Sequence, residues 1–133
     1  MKRELWFFVV AVIAVGSVGN GIWMLVDPGH WYEHLPAGVP DTGPLNSHFV
    51  RDIGCAFLTM GIGLSWALRN PEFRTPLVGV VALFYVAHAI LHVYDTAIGT
   101  LGSDHWLLDL PGVYLPALLL ALAAFRWRSP ASA

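Results

Sequence analysis

Apolar residues dominate four stretches of the chain, roughly Leu5–Val26, Ser47–Leu68, Pro76–Ile98 and Leu110–Trp127, and Pro, Gly or charged residues separate them. Each stretch is close to the ~20 residues that a ~30 Å hydrocarbon core requires. Lipid offers a backbone no hydrogen bonds, so spans of this kind are helices. The pattern predicts an all-α protein, a four-transmembrane-helix bundle forming one integral membrane domain over residues 1–133. The punctuation agrees. Asn46 or Ser47 is placed to cap the second helix. Arg69-Asn70-Pro71 ends it, and Pro111 falls in the first turn of the last helix, where proline is favoured. A long first loop, Asp27 to Asn46, is marked by its Pro and Gly content. Within it, Trp31, Tyr32 and Leu35 could form a short amphipathic turn at the interface.

Composition sharpens this picture. Of 133 residues, 56% are apolar and 12% charged, whereas a soluble domain carries about 25% charged residues. The net charge of −2 gives no reason to expect nucleic acid as a partner. Lys2 and Arg3 precede the first helix, Arg69 and Arg74 lie in the second loop, and Arg126 and Arg128 close the last helix; the first and third loops hold no Lys or Arg. The positive-inside rule then places both termini and the second loop in the cytoplasm and the other two loops outside. Lys2-Arg3, an apolar run and Gly16-Ser17 also resemble a signal peptide. The apolar pattern runs on through Ile22-Trp23-Met24-Leu25-Val26, so a retained helix is expected. Trp6, Trp23, Trp31, Trp106 and Trp127 lie near the expected interfaces, as an aromatic belt does.

Against that background the titratable residues stand out. All six histidines, His30, His34, His48, His88, His92 and His105, fall in or run inward from the two outward loops. Ionisable groups within apolar helices are costly, so a cluster of them is a site hypothesis by default. In the third helix His88, His92 and Asp95 share one face at 100° per residue. At about 1.5 Å rise per residue, His88 lies roughly 15 Å from the outer end. In the second helix His48, Asp52 and Cys55 share a face in the same way. The expected metal ligands are therefore His48, Asp52, His88, His92 and Asp95, holding a transition metal ion such as zinc, iron or copper. A bis-histidine haem is a narrower form of this reading. The alternative is core histidines hydrogen-bonded across helices.

Arg51, beside Asp52, is expected to pair with Asp52 or Asp95, or else to clamp a carboxylate ligand in bidentate fashion. Arg51, Asp52 and Asp95 are thus the candidate catalytic residues. Asn20 is expected to hydrogen-bond between helices or to line the site. His105 and Asp109, at i and i+4 by the mouth of the last helix, are read as capping or surface groups, and His30 and His34 as surface residues. Cys55 is a small packing residue, and Cys55-Thr59-Gly63 forms a small-residue row that permits close helix contact. Toward the cytoplasm the helices offer only hydroxyls such as Thr59, Ser65 and Thr75, which favours a blind, outward-opening pocket over a channel.

The stretch VDPGHWYEHLPAGVPDTGPLNSHFVRDIG, followed by three helices, resembles small four-helix membrane proteins of the DoxX-like families. Its motif-like elements are Asn46, Arg51 and Gly54 after the Asp27-Pro28 loop start. The resemblance covers the general layout and transfers no residue role. The expectation is an integral membrane protein with an outward-facing His/Asp site, binding a transition metal for redox or hydrolytic chemistry on a small or lipid-soluble substrate. The alternatives are a metal-free acid–base enzyme acting on a lipid or isoprenoid, and a non-catalytic membrane subunit. The expected partners are the lipid bilayer, a small or lipid-soluble ligand and further copies of the chain.

Overall fold

The structure, a computed structural model, describes residues 3–128. Four long helices carry it: α1 (Arg3–Val26), α3 (Ser47–Arg69), α4 (Pro71–Ala97) and α6 (Leu115–Arg128). Between α1 and α3 lie a short helix, α2 (Pro28–His34), and a 3-10 turn (Val39–Thr42). Between α4 and α6 lie one helical turn, α5 (His105–Leu108), and a π-helical turn (Leu110–Tyr114) that runs straight into α6. No strand occurs among the described residues. Lys2, one of the charges behind the expected orientation, lies outside them.

The helix boundaries follow local chemistry. Asn46 caps α3, its side-chain oxygen accepting from Phe49 N at 3.1 Å, which satisfies one of the free amides of a first turn. Asp27 caps α2 in the same way, through His30 N at 3.0 Å. Asn70 serves two helices at once: its amide closes α3 on Trp66 O at 3.0 Å, and its carbonyl receives Phe73 N of α4 at 3.2 Å. With Pro71 at its first position, α4 begins five residues before the expected boundary and carries Pro76 within it. Pro71 sits where a first-turn amide has no intrahelical acceptor in any case, whereas Pro76, the sixth residue, removes the one ladder bond that would run to Glu72 O.

Pairwise packing runs α1 on α3, α3 on α4 and α4 on α6, with a smaller contact from α6 back to α1. The main core joins Trp6, Val10, Leu64, Val78, Tyr85 and Leu120. A smaller one, Met24, Trp31 and Val50, closes the end that carries α2. Trp31 is buried there and donates from Nε1 to Asn20 Oδ1 at 2.8 Å, tying α2 to α1. Outward, apolar residues are left bare: Val15 is 73% exposed and Phe125 75%. In water such a surface is an association liability; in lipid it is the ordinary exterior.

Glycines set the closeness of α1 and α3. A Cβ on Gly21 would stand 2.6 Å from Leu58 N and 2.8 Å from Gly54 O, and one on Gly61 2.7 Å from Val18 N. The seam is therefore Gly21, Gly54 and Gly61. The expected row Cys55-Thr59-Gly63 does not form it: Cys55 and Thr59 are exposed and a Cβ on Gly63 would meet nothing within 4 Å.

Three helices among the described residues are long and apolar enough to cross a membrane, Glu4–Val26, Pro71–Ala97 and Leu110–Arg128. The expected second span, α3, is long enough at 23 residues but is not one of them. Its first two turns hold His48, Arg51 and Asp52, and its last residue is Arg69. At the end shared by α1, α4 and α6, Arg74 is buried rather than set in an open loop. It donates to Ala67 O at 3.1 Å and Leu68 O at 3.3 Å, and its guanidinium lies over the Phe7 and Trp127 rings. A cation on the last carbonyls of α3 complements the negative end of that helix.

Candidate functional site

The polar centre of the molecule is Asp109. It ends α5 and opens the π turn, and its backbone carbonyl accepts from both Val113 N (2.8 Å) and Tyr114 N (3.1 Å). Pro111 and Pro116 bring no amide hydrogens to this stretch. The ladder loosens by one residue here, a device that recurs at functional sites. The widened turn holds the Asp109 side chain inside the protein, 1% exposed.

There Asp109 meets two imidazoles on one oxygen. His92 Nδ1 lies 2.8 Å from Asp109 Oδ2 and His105 Nδ1 lies 3.3 Å from the same atom. With Asp109 as carboxylate, a ring that donates to it does so from Nδ1, which leaves Nε2 as the free acceptor. This arrangement fixes both tautomer and ring direction, as orienting carboxylates do in acid–base and metal sites. His105 is fully buried. Its Nε2 is 3.5 Å from Asp41 Oδ2 of the 3-10 turn but without hydrogen-bond geometry. His88 continues the line one turn along α4. Its ring centroid is 4.6 Å from that of His92, and it stacks on Phe84 with the edge of Phe57 alongside.

Two buried side-chain atoms of the network, Asp109 Oδ1 and His105 Nε2, have no hydrogen-bond partner among the described residues, and beside them the hydroxyls of Tyr114 and Thr96 have only each other. They belong to the segment from the end of α4 to the π turn. An orphaned buried polar group costs about 1–3 kcal/mol, so Asp109 Oδ1 and His105 Nε2, on two residues that already share a hydrogen bond, single out this segment as the candidate site. Deeper in the bundle, Ser17 Oγ and Tyr85 Oη share a hydrogen bond of 2.7 Å, both residues buried.

The expected site residues divide. His88 and His92 are at the centre. Asp95 is half-buried on the same helix, its backbone carbonyl receiving Thr100 N and Leu101 N at the helix end. His48 and Asp52 lie elsewhere: they pair with each other at 3.5 Å with side chains 89% and 61% exposed. Arg51 pairs with neither Asp52 nor Asp95; its Nε donates to Leu25 O at 3.3 Å. The described residues hold no group of three or more His, Cys, Asp or Glu side chains able to bind a metal ion. The five expected ligands are thus not gathered into one donor set.

The residues misjudged from sequence are His105 and Asp109. They read as mouth or surface groups, and both are buried. Their i, i+4 spacing was the available signal; what it could not show is that the first loop, at Gly38 and Asp41, lies against His105. His30 and His34 are on the surface as expected, stacked ring on ring at 4.1 Å.

Fold and site together define a helical protein of membrane character, with a buried His–Asp–His network at the end where its two longer connections meet. Its sequence matches the family model described as a domain of unknown function, DUF4345, over residues 6–110, and the chain belongs to that family. The match includes Asp41, His88, His92, His105 and Asp109. No curated protein and no solved structure matches the chain significantly.

Proposed function

We propose that this chain is a multi-pass membrane protein whose His92–Asp109–His105 network handles a proton on a small, lipid-soluble ligand. One observation carries the reading: a single buried carboxylate oxygen holds two imidazoles by Nδ1, while its other oxygen and His105 Nε2 have no partner. A carboxylate-oriented imidazole with a free Nε2 is the working part of a general acid–base catalyst. His92 is the group placed to act on a ligand, Asp109 positions it, and His88 with Phe84 and Phe57 forms the apolar wall beside it. The bare apolar exterior of α4 and α6 fits a ligand that arrives through the bilayer.

In this reading α3 crosses the membrane with the three more apolar helices, packed on α1 through the glycine seam. Arg69, Arg126 and Arg128 mark the cytoplasmic side, and the network faces the opposite side. The likeness to DoxX-like proteins rests on layout alone.

The test is native mass spectrometry of the full chain released from nanodiscs, with wild type, His92→Ala and His48→Ala compared. A small lipophilic molecule retained by wild type and His48→Ala but lost from folded His92→Ala supports the reading. Equal retention by all three, or by none, overturns it.

A second reading has its own observation. His88 and His92 lie one turn apart with rings 4.6 Å between centroids, and Asp109 already occupies Nδ1 of His92. That is the carboxylate–histidine pattern behind metal ligands. Zinc, iron or copper on this pair would need its remaining donors from a ligand or from a second copy of the chain. Elemental analysis of the same samples distinguishes it: stoichiometric metal lost in His88→Ala favours this reading, and none in wild type rejects it.

A further inference from the structure

We infer that the site selects a lipid-soluble molecule that donates a hydrogen bond, a phenol, over the same body carrying only acceptor oxygens; the inference rests on the reading of His92 as the group that meets a ligand. The polarity of the network decides it. One oxygen, Asp109 Oδ2, lies 2.8 Å from His92 Nδ1 and 3.3 Å from His105 Nδ1. Two ring N–H groups converging on one carboxylate oxygen account for both contacts. A protonated Asp109 would offer its single proton to one ring only, and the other ring would still have to donate. A neutral imidazole carries one N–H. Each ring that uses it at Nδ1 therefore keeps Nε2 as a bare acceptor.

What the network leaves over is acceptors alone. Asp109 Oδ1 and His105 Nε2 have no partner. Asp41 Oδ2, 3.5 Å from His105 Nε2, is one more acceptor and supplies no proton as a carboxylate. The buried hydroxyls of Tyr114 and Thr96 have only each other. Of these atoms, a ligand meets Nε2 of His92. His105 and Asp109 are 0% and 1% exposed, whereas the His92 side chain is 17% exposed, so His92 is the open end. Its Nε2 is not sealed in the protein as that of His105 is. His88 touches His92 edge to face, with ring centroids 4.6 Å apart and planes at 69°, rather than through a hydrogen bond. The lone pair of His92 Nε2 is thus left for a molecule from outside the chain.

That atom sorts ligands by the direction of their hydrogen bond. A ketone, ester or ether oxygen brought to it sets lone pair against lone pair and displaces whatever water had donated there, with nothing in return. A hydroxyl makes the bond. The neighbouring surface favours a hydroxyl carried on a ring. His88 lies 5.9 Å from Phe84 with planes only 15° apart, and Phe57 presents its edge to both at 85° and 83°. A flat ligand packs on such rings in offset or edge-on fashion. A phenol also has the more acidic O–H, which suits proton handling. The transfer then has one direction: the ligand O–H bond breaks, an N–H bond forms at His92 Nε2, and the phenolate is left facing an imidazolium that Asp109 stabilises through Nδ1. Return of the proton restores both partners, with no redox change.

The experiment uses the full chain in nanodiscs, 15N-labelled histidine and two probes of one shape, para-octylphenol and its methyl ether, para-octylanisole. Wild type should bind the phenol on the order of tenfold more tightly than the ether, after correction for partition into the bilayer, which is the worth of about one hydrogen bond. NMR of the ligand-free protein should show the His92 ring protonated at Nδ1. Added phenol should shift the Nε2 signal of His92 and leave that of the exposed His48 in place. His92→Phe keeps a ring at the position and should lose the preference for the phenol. Asp109→Asn presents an amide that donates as well as accepts, so the His92 tautomer is no longer fixed and the preference should shrink. A wild-type His92 ring protonated at Nε2, equal affinity for the two probes, or a phenol preference that survives in His92→Phe overturns the inference. Equal affinity for the probes, beside a native ligand that His92→Ala loses, sinks the phenol inference alone. A native ligand that His92→Ala retains sinks the ligand-binding reading beneath it.

Discussion

His92 and Asp109, 17 positions apart in sequence, meet at 2.8 Å between Nδ1 and Oδ2 inside the protein. That contact joins α4 to the turn before α6 and gives His105 its acceptor as well. Removing the acceptor should therefore cost more than one hydrogen bond. Asp109→Ala leaves the Nδ1 groups of His92 and His105 without their acceptor, at about 1–3 kcal/mol for each unsatisfied buried donor. Asp109→Asn keeps an acceptor of the same shape and should lose about 1–3 kcal/mol. Unfolding in mild detergent measures both. Equal, small losses would show that Asp109 does not hold the two elements together.

Gly38→Ala should be destabilising by about 1–2 kcal/mol, the cost of a side chain in the left-handed region, because the residue sits at φ +61. Its methyl would also press on His105 at 3.3 Å. The informative readout is a changed NMR signal from the His105 ring. Gly43→Ala is the comparison: its φ of +129 imposes strain too, but a Cβ there would meet nothing within 4 Å. The His105 signal should move in the first variant and stay in the second.

Much of the fold was legible from sequence, and the site only in part. Long apolar runs and the stop at Asn70-Pro71 depend on local chemistry, so the four long helices appear close to their expected places. Asn46 as a cap depends on three residues and was equally readable. His88 and His92 were found because helical spacing puts them on one face. What sequence could not supply was the partner of that face. Asp95 follows His92 at i+3, but the carboxylate that reaches His92 is Asp109, delivered by a π turn that no periodicity announces. The glycine seam failed for a related reason. Gly54 and Cys55 are neighbours turned about 100° from each other on the helix, and both begin rows of small residues. Which row meets α1 depends on the packing of α1, not on α3. Arg74 was misplaced because a charged residue beside a turn reads as solvated, whereas here the last carbonyls of α3 and two aromatic rings accept it.

His48→Ala and Asp52→Ala should have little effect. The two pair at 3.5 Å across an exposed helix face, and such pairs contribute about 0–1 kcal/mol before screening by salt. Melting in detergent and ligand retention should both match wild type. A loss of ligand in either variant would return these residues to the site and displace the network built on Asp109.

Gly61→Ala and Gly63→Ala, two positions apart on α3, should behave oppositely. A Cβ on Gly61 would lie 2.7 Å from Val18 N and 2.8 Å from Ala14 O. Both are backbone atoms of α1, which cannot swing aside as a side-chain tip can. The helices must move apart, and overpacking of this kind costs about 1–3 kcal/mol. Gly63 faces open space, so alanine there should instead stabilise by up to about 1 kcal/mol through helix propensity alone. Thermal unfolding of the two variants beside wild type gives the order directly: Gly61→Ala lowest, Gly63→Ala highest. If α1 packed on the Cys55-Thr59-Gly63 row, that order would invert. The inversion would also rotate α3 about its axis by roughly 100° for each residue of register, carrying Val50 out of the small core beneath Trp31 and leaving the first loop, with Asp41 at its turn, without the floor that holds it over His105.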